Sequence, residues 1–374
     1  MRPHSKASEG RCSIARMSKR PSPIAARRRP WARHAWFAVA VLGLATLANA
    51  AGAADASPAT ELKLSVAAGP ALTLGKAAER WSQLLVETGD ARLGAKLYPG
   101  ASLAGRDPAR EIGALKEAAA DLAVGSALQW SLQVAALGVV GLPWIAPDND
   151  ALAALVANER LRAALAQKLE QQELMLVAIA PLGHRELATT SRAIRAPADL
   201  AGLRVRASPL PIVHELFLAL GALPQAMGFA QAQAALASGG LDGVEGLPTA
   251  LAAARTAVGG QRHLVLWGAT ADAMVFAVRK PLWDTLSPAQ HAMLRKTAVQ
   301  AIADTDSAGR REAALRKLSQ NGIAVVRITA AGHEAFRSAA ADMRARWRGA
   351  IGDDVVSIAE EAVAQRRTSA PGGS

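Results

Sequence analysis

The sequence is poor in several residues that usually announce chemistry. Its 374 residues include one cysteine, Cys12, and one tyrosine, Tyr98, and aromatics make up only 4%. Cys12 lies in a basic N-terminal segment, so the chain beyond it has no disulfide, thiolate nucleophile or cysteine–metal site. The motifs H-E-x-x-H and G-x-S-x-G, a phosphate-binding P-loop, and G-x-G-x-x-G after a strand are all missing. Five histidines remain beyond the N-terminal segment (His184, His214, His263, His291 and His333), none paired at i, i+4 with a second ligand. They read as core or surface histidines, and no metal or cofactor is expected. Gly239-Gly240 and Gly259-Gly260 read as turns. Paired carboxylates leave no local motif, so an exported carboxylate-dependent lyase or hydrolase stays open as an alternative without positive support.

The net charge of +12 resembles a nucleic-acid signature until it is located. Residues 1–54 carry ten Lys or Arg against one acid, Glu9, and so hold +9 of it. The rest is a mildly basic, solvated surface, and nucleic-acid binding is not expected. Arg27, Arg28, Arg29 and Arg33 precede an apolar run from Ala35 to Ala48, followed by small residues from Ala48 to Ala54. A basic region, a short apolar run and small-x-small sites are the parts of a cleavable signal peptide. The run is too short to cross a bilayer comfortably. Residues 1–53 are therefore expected to be a leader with a long basic region, cleaved near residues 50–54 by the general secretory route, or a shorter one starting at Met17. No cysteine stands there to accept a lipid, so the product is expected to be periplasmic. Residues 54–60 read as a tether.

Beyond it, strands alternate with helices. Leu62 to Val66 alternates as a strand, and Leu74, Ala77, Ala78, Trp81, Leu84 and Leu85 fall at helical spacing. Ala95 to Tyr98 is a second strand. Ile112, Leu115 and Ala119 suggest a helix leading to a strand at Asp121 to Val124. Glu173 to Ala180 is nearly all apolar, as in a strand covered on both faces. Leu203 to Arg206 is a short strand after a turn begun at Pro197, and Ala273 to Val278 is another. Ser287-Pro288-Ala289-Gln290 is a capping-box-like helix start, and Ile323 to Ile328 is a late strand. Such alternation predicts a parallel α/β sheet.

Three segments carry the functional reading. The first contains Tyr98-Pro99-Gly100, Asp107, Glu111, Asp121 to Ser126 and Gly141-Leu142-Pro143-Trp144. The second contains Gly183-His184-Arg185-Glu186, Thr190 to Ile194 and Asp199 to Arg206. The third contains Leu220-Gly221-Ala222, Phe229 and Leu241-Asp242-Gly243-Val244-Glu245. In order and spacing they resemble the solute-binding subunits of tripartite ATP-independent periplasmic (TRAP) transporters, of the C4-dicarboxylate-binding type, over about residues 62–350.

The resemblance implies an α/β, two-lobed periplasmic binding protein fold (type II-like), with crossing strands and a ligand cleft between the lobes. Lobe I is expected at 61–183 with about 272–310 and 339–365, lobe II at 184–271 with about 311–338, and a disordered tail at 366–374. It implies a protein that captures a small carboxylate ligand and delivers it to integral-membrane permease subunits; the oligomeric state stays open, with a monomer favoured. A binding protein for an ATP-driven importer or a sensor is the alternative within the same shape.

The family's signature arginine matches Arg206. A guanidinium offers a planar fork to two carboxylate oxygens. Arg185 matches a second ligand-directed arginine, Phe229 a pocket wall, and Ser126 and Trp130 first-lobe contacts. Asp107 and Glu245 are further candidates. The third segment departs from the family's Asp-Gly-Gln-Glu-Asn-Pro: Gly246 stands at the asparagine. Gln231 and Gln233 replace a usual Glu and Tyr, and the proline after the arginine is displaced to Pro209. Losing an amide donor and acceptor implies a different ligand, larger or more apolar away from its carboxylate.

Overall fold

The computed structural model describes residues 61–254 and 260–369. The expected leader and tether, and residues 370–374, lie outside them. Nine strands form one sheet among the described residues. They are β1 (Leu62–Val66), β2 (Ala95–Tyr98), β3 (Leu122–Ser126), β4 (Leu174–Thr189), β5 (Arg204–Ala207), β6 (Leu223–Ala226), β7 (Gly243–Gly246), β8 (His263–Arg279) and β9 (Ala324–Arg327). Their order is β2-β1-β3-β8-β4-β7-β5-β6, with β9 also on β8.

Two long antiparallel strands, β4 and β8, tie the two halves of this sheet together. The end of β8, Met274 to Val278, pairs with β3, beyond which β1 and β2 run parallel. The opposite end of the ladder pairs β4 with β7 through Glu186 to Thr189, and β8 with β9 through His263 to Leu266. The strands expected at Glu173 to Ala180 and Ala273 to Val278 are therefore only parts of β4 and β8. Both continue through polar residues that ended the apolar runs.

Each half has its own core beside a larger shared one. Helix Thr73–Glu87 turns Ala77, Ala78, Trp81 and Leu85 onto the first half, as its spacing predicts. Trp81 meets Phe276 edge-on at 5.1 Å between ring centres and donates its indole N–H to Thr297 at 3.1 Å. Thr297 belongs to helix Pro288–Thr305, whose capping box forms as expected: Ser287 Oγ accepts from Gln290 N and Gln290 Oε1 accepts from Ser287 N. In the other half, Leu236, Val244, Leu251 and Leu264 pack with Leu315 and Leu318 of helix Ser307–Gln320. The few aromatics are concentrated: Trp144, Trp267, Phe217 and Phe336 form one cluster with ring centres 5.5–6.2 Å apart. Gathered rings bury large apolar areas and add edge-to-face attraction.

Gly268 lets β8 bend beneath the loop that carries Trp144. Its φ is +57°, and a Cβ there would lie 2.2 Å from the carbonyl oxygen of Pro147. Three expectations shift in extent. Ala119 lies beyond the short helix Glu111–Lys116, and β6 and β7 were not foreseen as strands. The final helix runs Asp353–Ser369, so residues 366–369 of the expected tail are helical, and Arg366 pairs with Asp148 and Asp150.

Candidate functional site

The candidate site is built where the crossing strands meet the second half of the sheet. Arg185 comes from β4, Glu245 from β7 and Arg206 from β5. Leu187 of β4 lies opposite Glu245, and Arg206 lies opposite Val244 of β7. The sheet register thus brings three of the expected residues together.

Glu245 is 1% exposed. Its carboxylate accepts from Nε of Arg185 and, at 3.2 Å each, from Nη2 of Arg185 and the backbone N–H of Ser208. Burial alone would raise its pKa, but Arg185, Arg206 and the Ser208 N–H hold it below the usual range. Burial likewise works against the charge on Arg185; Glu245 and Asp272 outweigh it and raise the arginine's pKa. Arg185 is thus a structural cation as well as a candidate contact, its charge matched by a buried carboxylate.

Arg206, 8% exposed, is oriented differently. Its Nε donates to the carbonyl of Met227 at 3.0 Å and its Nη1 to the carbonyl of Glu245 at 3.2 Å. Burial lowers its pKa, Glu245 opposes that, and Arg185 adds to it. The two guanidiniums share a hydroxyl, Ser208 Oγ, 2.5 Å from Arg185 Nη2 and 3.5 Å from Arg206 Nη1. Ser208 was overlooked in sequence; only the displacement of the following proline marked its neighbourhood.

Asp272 was also overlooked. This buried carboxylate lies opposite Gly183 on β4, and it accepts from Ser126 Oγ at 2.6 Å, Leu128 N at 3.2 Å and Ala273 N at 2.8 Å. Burial raises its pKa against the pull of Arg185 and these donors. Ser126 bonds to Asp272, whose charge acts on Arg185, and also caps helix Ala127–Trp130 by accepting from Gln129 N. The one available signal was a lone acid inside the apolar run of β8.

The other candidates fall elsewhere. Trp130 is a core residue: it is 1% exposed, lies over Gly125, and donates its indole N–H to Glu111 at 3.3 Å. Glu111 also accepts from Ser65 at 3.1 Å, and burial, opposed by these bonds, pushes its pKa up to about 7. Asp107 is exposed and caps the turn at Pro108–Arg110, apart from the cluster. Gly246 sits in β7 opposite Glu186; a Cβ there would meet only Leu251, at 3.6 Å. Phe229 opens helix Phe229–Ala237, but its side chain lies outside the described residues. Among the described residues no group of three His, Cys, Asp or Glu could hold a metal ion, and no helix is long and apolar enough to cross a membrane.

A mixed sheet spanned by two crossing strands, with a core in each half beside a larger shared one, is the two-lobed α/β fold of periplasmic solute-binding proteins. The family described as bacterial extracellular solute-binding protein, family 7, matches residues 64–348, and the chain belongs to it. It is 24% identical to the C4-dicarboxylate-binding periplasmic protein DctP of Rhodobacter capsulatus, over 87% of this chain and 93% of that one. An uncharacterized protein of Sinorhizobium fredii is 30% identical over half of this chain, which spans about a third (34%) of that relative's length. Among solved structures, a TRAP periplasmic solute-binding protein from Ralstonia eutropha H16 superposes with a TM-score of 0.76 and 37% identity, over 82% of this chain and 99% of that one. That protein holds (S)-2-hydroxy-2-methyl-3-oxobutanoate, (S)-2-acetolactate.

Proposed function

We propose that this protein captures a short hydroxy- or oxo-carboxylate outside the cytoplasm and delivers it to a TRAP-type membrane permease, with Arg206 anchoring the carboxylate. One observation carries the reading: two backbone carbonyls and Ser208 hold the Arg206 guanidinium in a fixed orientation at the end of β5. A fork that is already oriented loses less entropy when it binds a carboxylate, and paired charge-assisted bonds contribute about 1.5–3 kcal/mol each. Arg185 supports the fork through Ser208 and Glu245. Gly246, beside the apolar Leu251, suits a ligand with methyl groups away from its carboxylate, as in the acetolactate of the Ralstonia relative.

In this reading lobe I comprises about 61–183, 272–310 and 339–365, and lobe II 184–271 and 311–338. The leader, residues 1–53, is cleaved off near residues 50–54, and closure of the lobes takes the ion pair out of water, which strengthens it.

Thermal unfolding of residues 54–374 with a panel of small acids tests this. A ligand at about 100 Kd adds roughly 2.7 kcal/mol, a rise of a few degrees in a chain of this size. Acetolactate and other branched 2-hydroxy or 2-oxo acids are expected to raise Tm, and their esters are not. No rise with any acid would refute the proposal.

A further inference from the structure

A second cluster of arginines lies outside the candidate site, around a cavity of about 390 Å3. Arg337 comes from helix Ala330–Ala339, and Arg344 and Arg348 come from helix Ala341–Ile351. Arg344 and Arg348 are four residues apart and so share a helix face, where like charges oppose folding. Arg348 is neutralised: it donates to Glu360 at 2.8 Å, Asp353 at 2.9 Å and Ser357 at 2.7 Å.

Arg344 is different. Among the described residues no carboxylate pairs with it, and its Nη1 is sealed from solvent without a hydrogen-bond acceptor. Burial pushes its pKa down, Arg337 and Arg348 push the same way, and Glu360 opposes them. A buried donor without an acceptor costs about 1–3 kcal/mol, more when charged. Turning the guanidinium into the cavity would replace that cost with a charge-assisted bond to an anion. Arg337, exposed on the cavity wall and outside any ion pair among the described residues, would add a second cation.

We infer that the cavity between helices Ala330–Ala339 and Ala341–Ile351 is a second site, which takes a small oxyanion (a single phosphate or carboxylate group) on Arg344 and Arg337. Glu334 on the same wall disfavours longer polyanions. The site needs no ligand in the Arg206 cluster and stands or falls separately from the proposed transport function.

Calorimetric titration with inorganic phosphate tests it on the wild type, Arg344→Gln, Arg337→Gln and Arg346→Gln. Arg346 is on the same helix but does not line the cavity; its partner is Glu215. Binding is expected to weaken about tenfold or more in the first two variants, each missing one charge-assisted contact, and to hold in Arg346→Gln. Arg337 is exposed, so its variant keeps the test valid if Arg344→Gln fails to fold. A parallel titration with acetate in an Arg206→Ala background separates the two sources. Binding of phosphate alone assigns a phosphoryl ligand, binding of acetate alone a carboxylate, and either supports the site. Equal affinities across all four proteins, or no binding of either anion, would overturn it.

Discussion

Arg185 and Arg206 meet at one hydroxyl, with Ser208 Oγ 2.5 Å from the first and 3.5 Å from the second. Two like charges converge there because Glu245 lies beneath both, bonded to Arg185 through its carboxylate and to Arg206 through its backbone carbonyl. Ser208 is therefore expected to position the fork without bearing charge. Ser208→Ala should leave the fold intact and weaken carboxylate affinity about two- to tenfold, the worth of one net hydrogen bond. Titration calorimetry reads the change; an unaltered affinity would remove Ser208 from the site.

Glu245 should matter for folding before it matters for binding. Glu245→Gln keeps the shape but leaves the charge of Arg185 buried beside a neutral amide, with Asp272 as its remaining carboxylate. Breaking one side of a buried pair costs about 3–5 kcal/mol. Urea unfolding is expected to show a loss of that size, part of which returns in the Arg185→Met/Glu245→Gln double variant. A loss below about 1 kcal/mol would mean the pair behaves like an exposed one.

Glu111 gives stability a specific pH dependence. Its pKa rises from 4.5 to about 7 on folding, so the folded chain holds this proton more tightly than the unfolded one. Its effect is absent below about pH 4.5. As pH rises to 7 the unfolded chain loses the proton first, and stability falls by on the order of 3 kcal/mol. Glu111→Gln removes that loss while keeping an acceptor for Trp130 and a partner for Ser65. The variant should match wild type near pH 4.5 and exceed it near pH 8 in urea unfolding. Parallel curves across the range would show that Glu111 is not held neutral.

Gly125 should tolerate no side chain. A Cβ there would lie 2.0 Å from Trp130, whose ring is buried and bonded to Glu111. Gly125→Ala is expected to cost about 1–3 kcal/mol or more, as overpacked cores do. An unchanged Tm would mean that the ring moves freely.

The fold was legible where local pattern and burial agree. Helix Thr73–Glu87, the Ser287 cap and the strands at Leu62, Ala95 and Ala324 follow their periodicity closely. The strands β4 and β8 were legible only in their apolar parts, because a strand that crosses between two halves of a sheet carries site residues as well as core. His184, Arg185 and Glu186 on one, and Asp272 on the other, broke the hydrophobic run at the functional stretch. Likewise β6 contains Pro224 and β7 begins and ends with glycine, residues that are depleted in strands and hide the pattern.

Within the site, Arg206, Arg185 and Glu245 were found through the order of short motifs, and the sheet register brings them together. Asp272 and Ser208 belong to no motif, since their importance comes from contacts distant in sequence. Trp130 shows the converse: it falls in the right segment, but the space left by Gly125 draws the ring into the core.

The central claim is that Arg206 holds the ligand's carboxylate. The direct measurement is calorimetric titration of (S)-2-acetolactate into wild type, Arg206→Lys and Arg206→Ala. Lysine keeps the charge but has no planar fork, so the account predicts a clear loss in Arg206→Lys and a larger one in Arg206→Ala, about a hundredfold for two charge-assisted bonds at the lower end of their range. All three proteins should still unfold cooperatively. Binding by Arg206→Ala as tight as wild type would contradict the account.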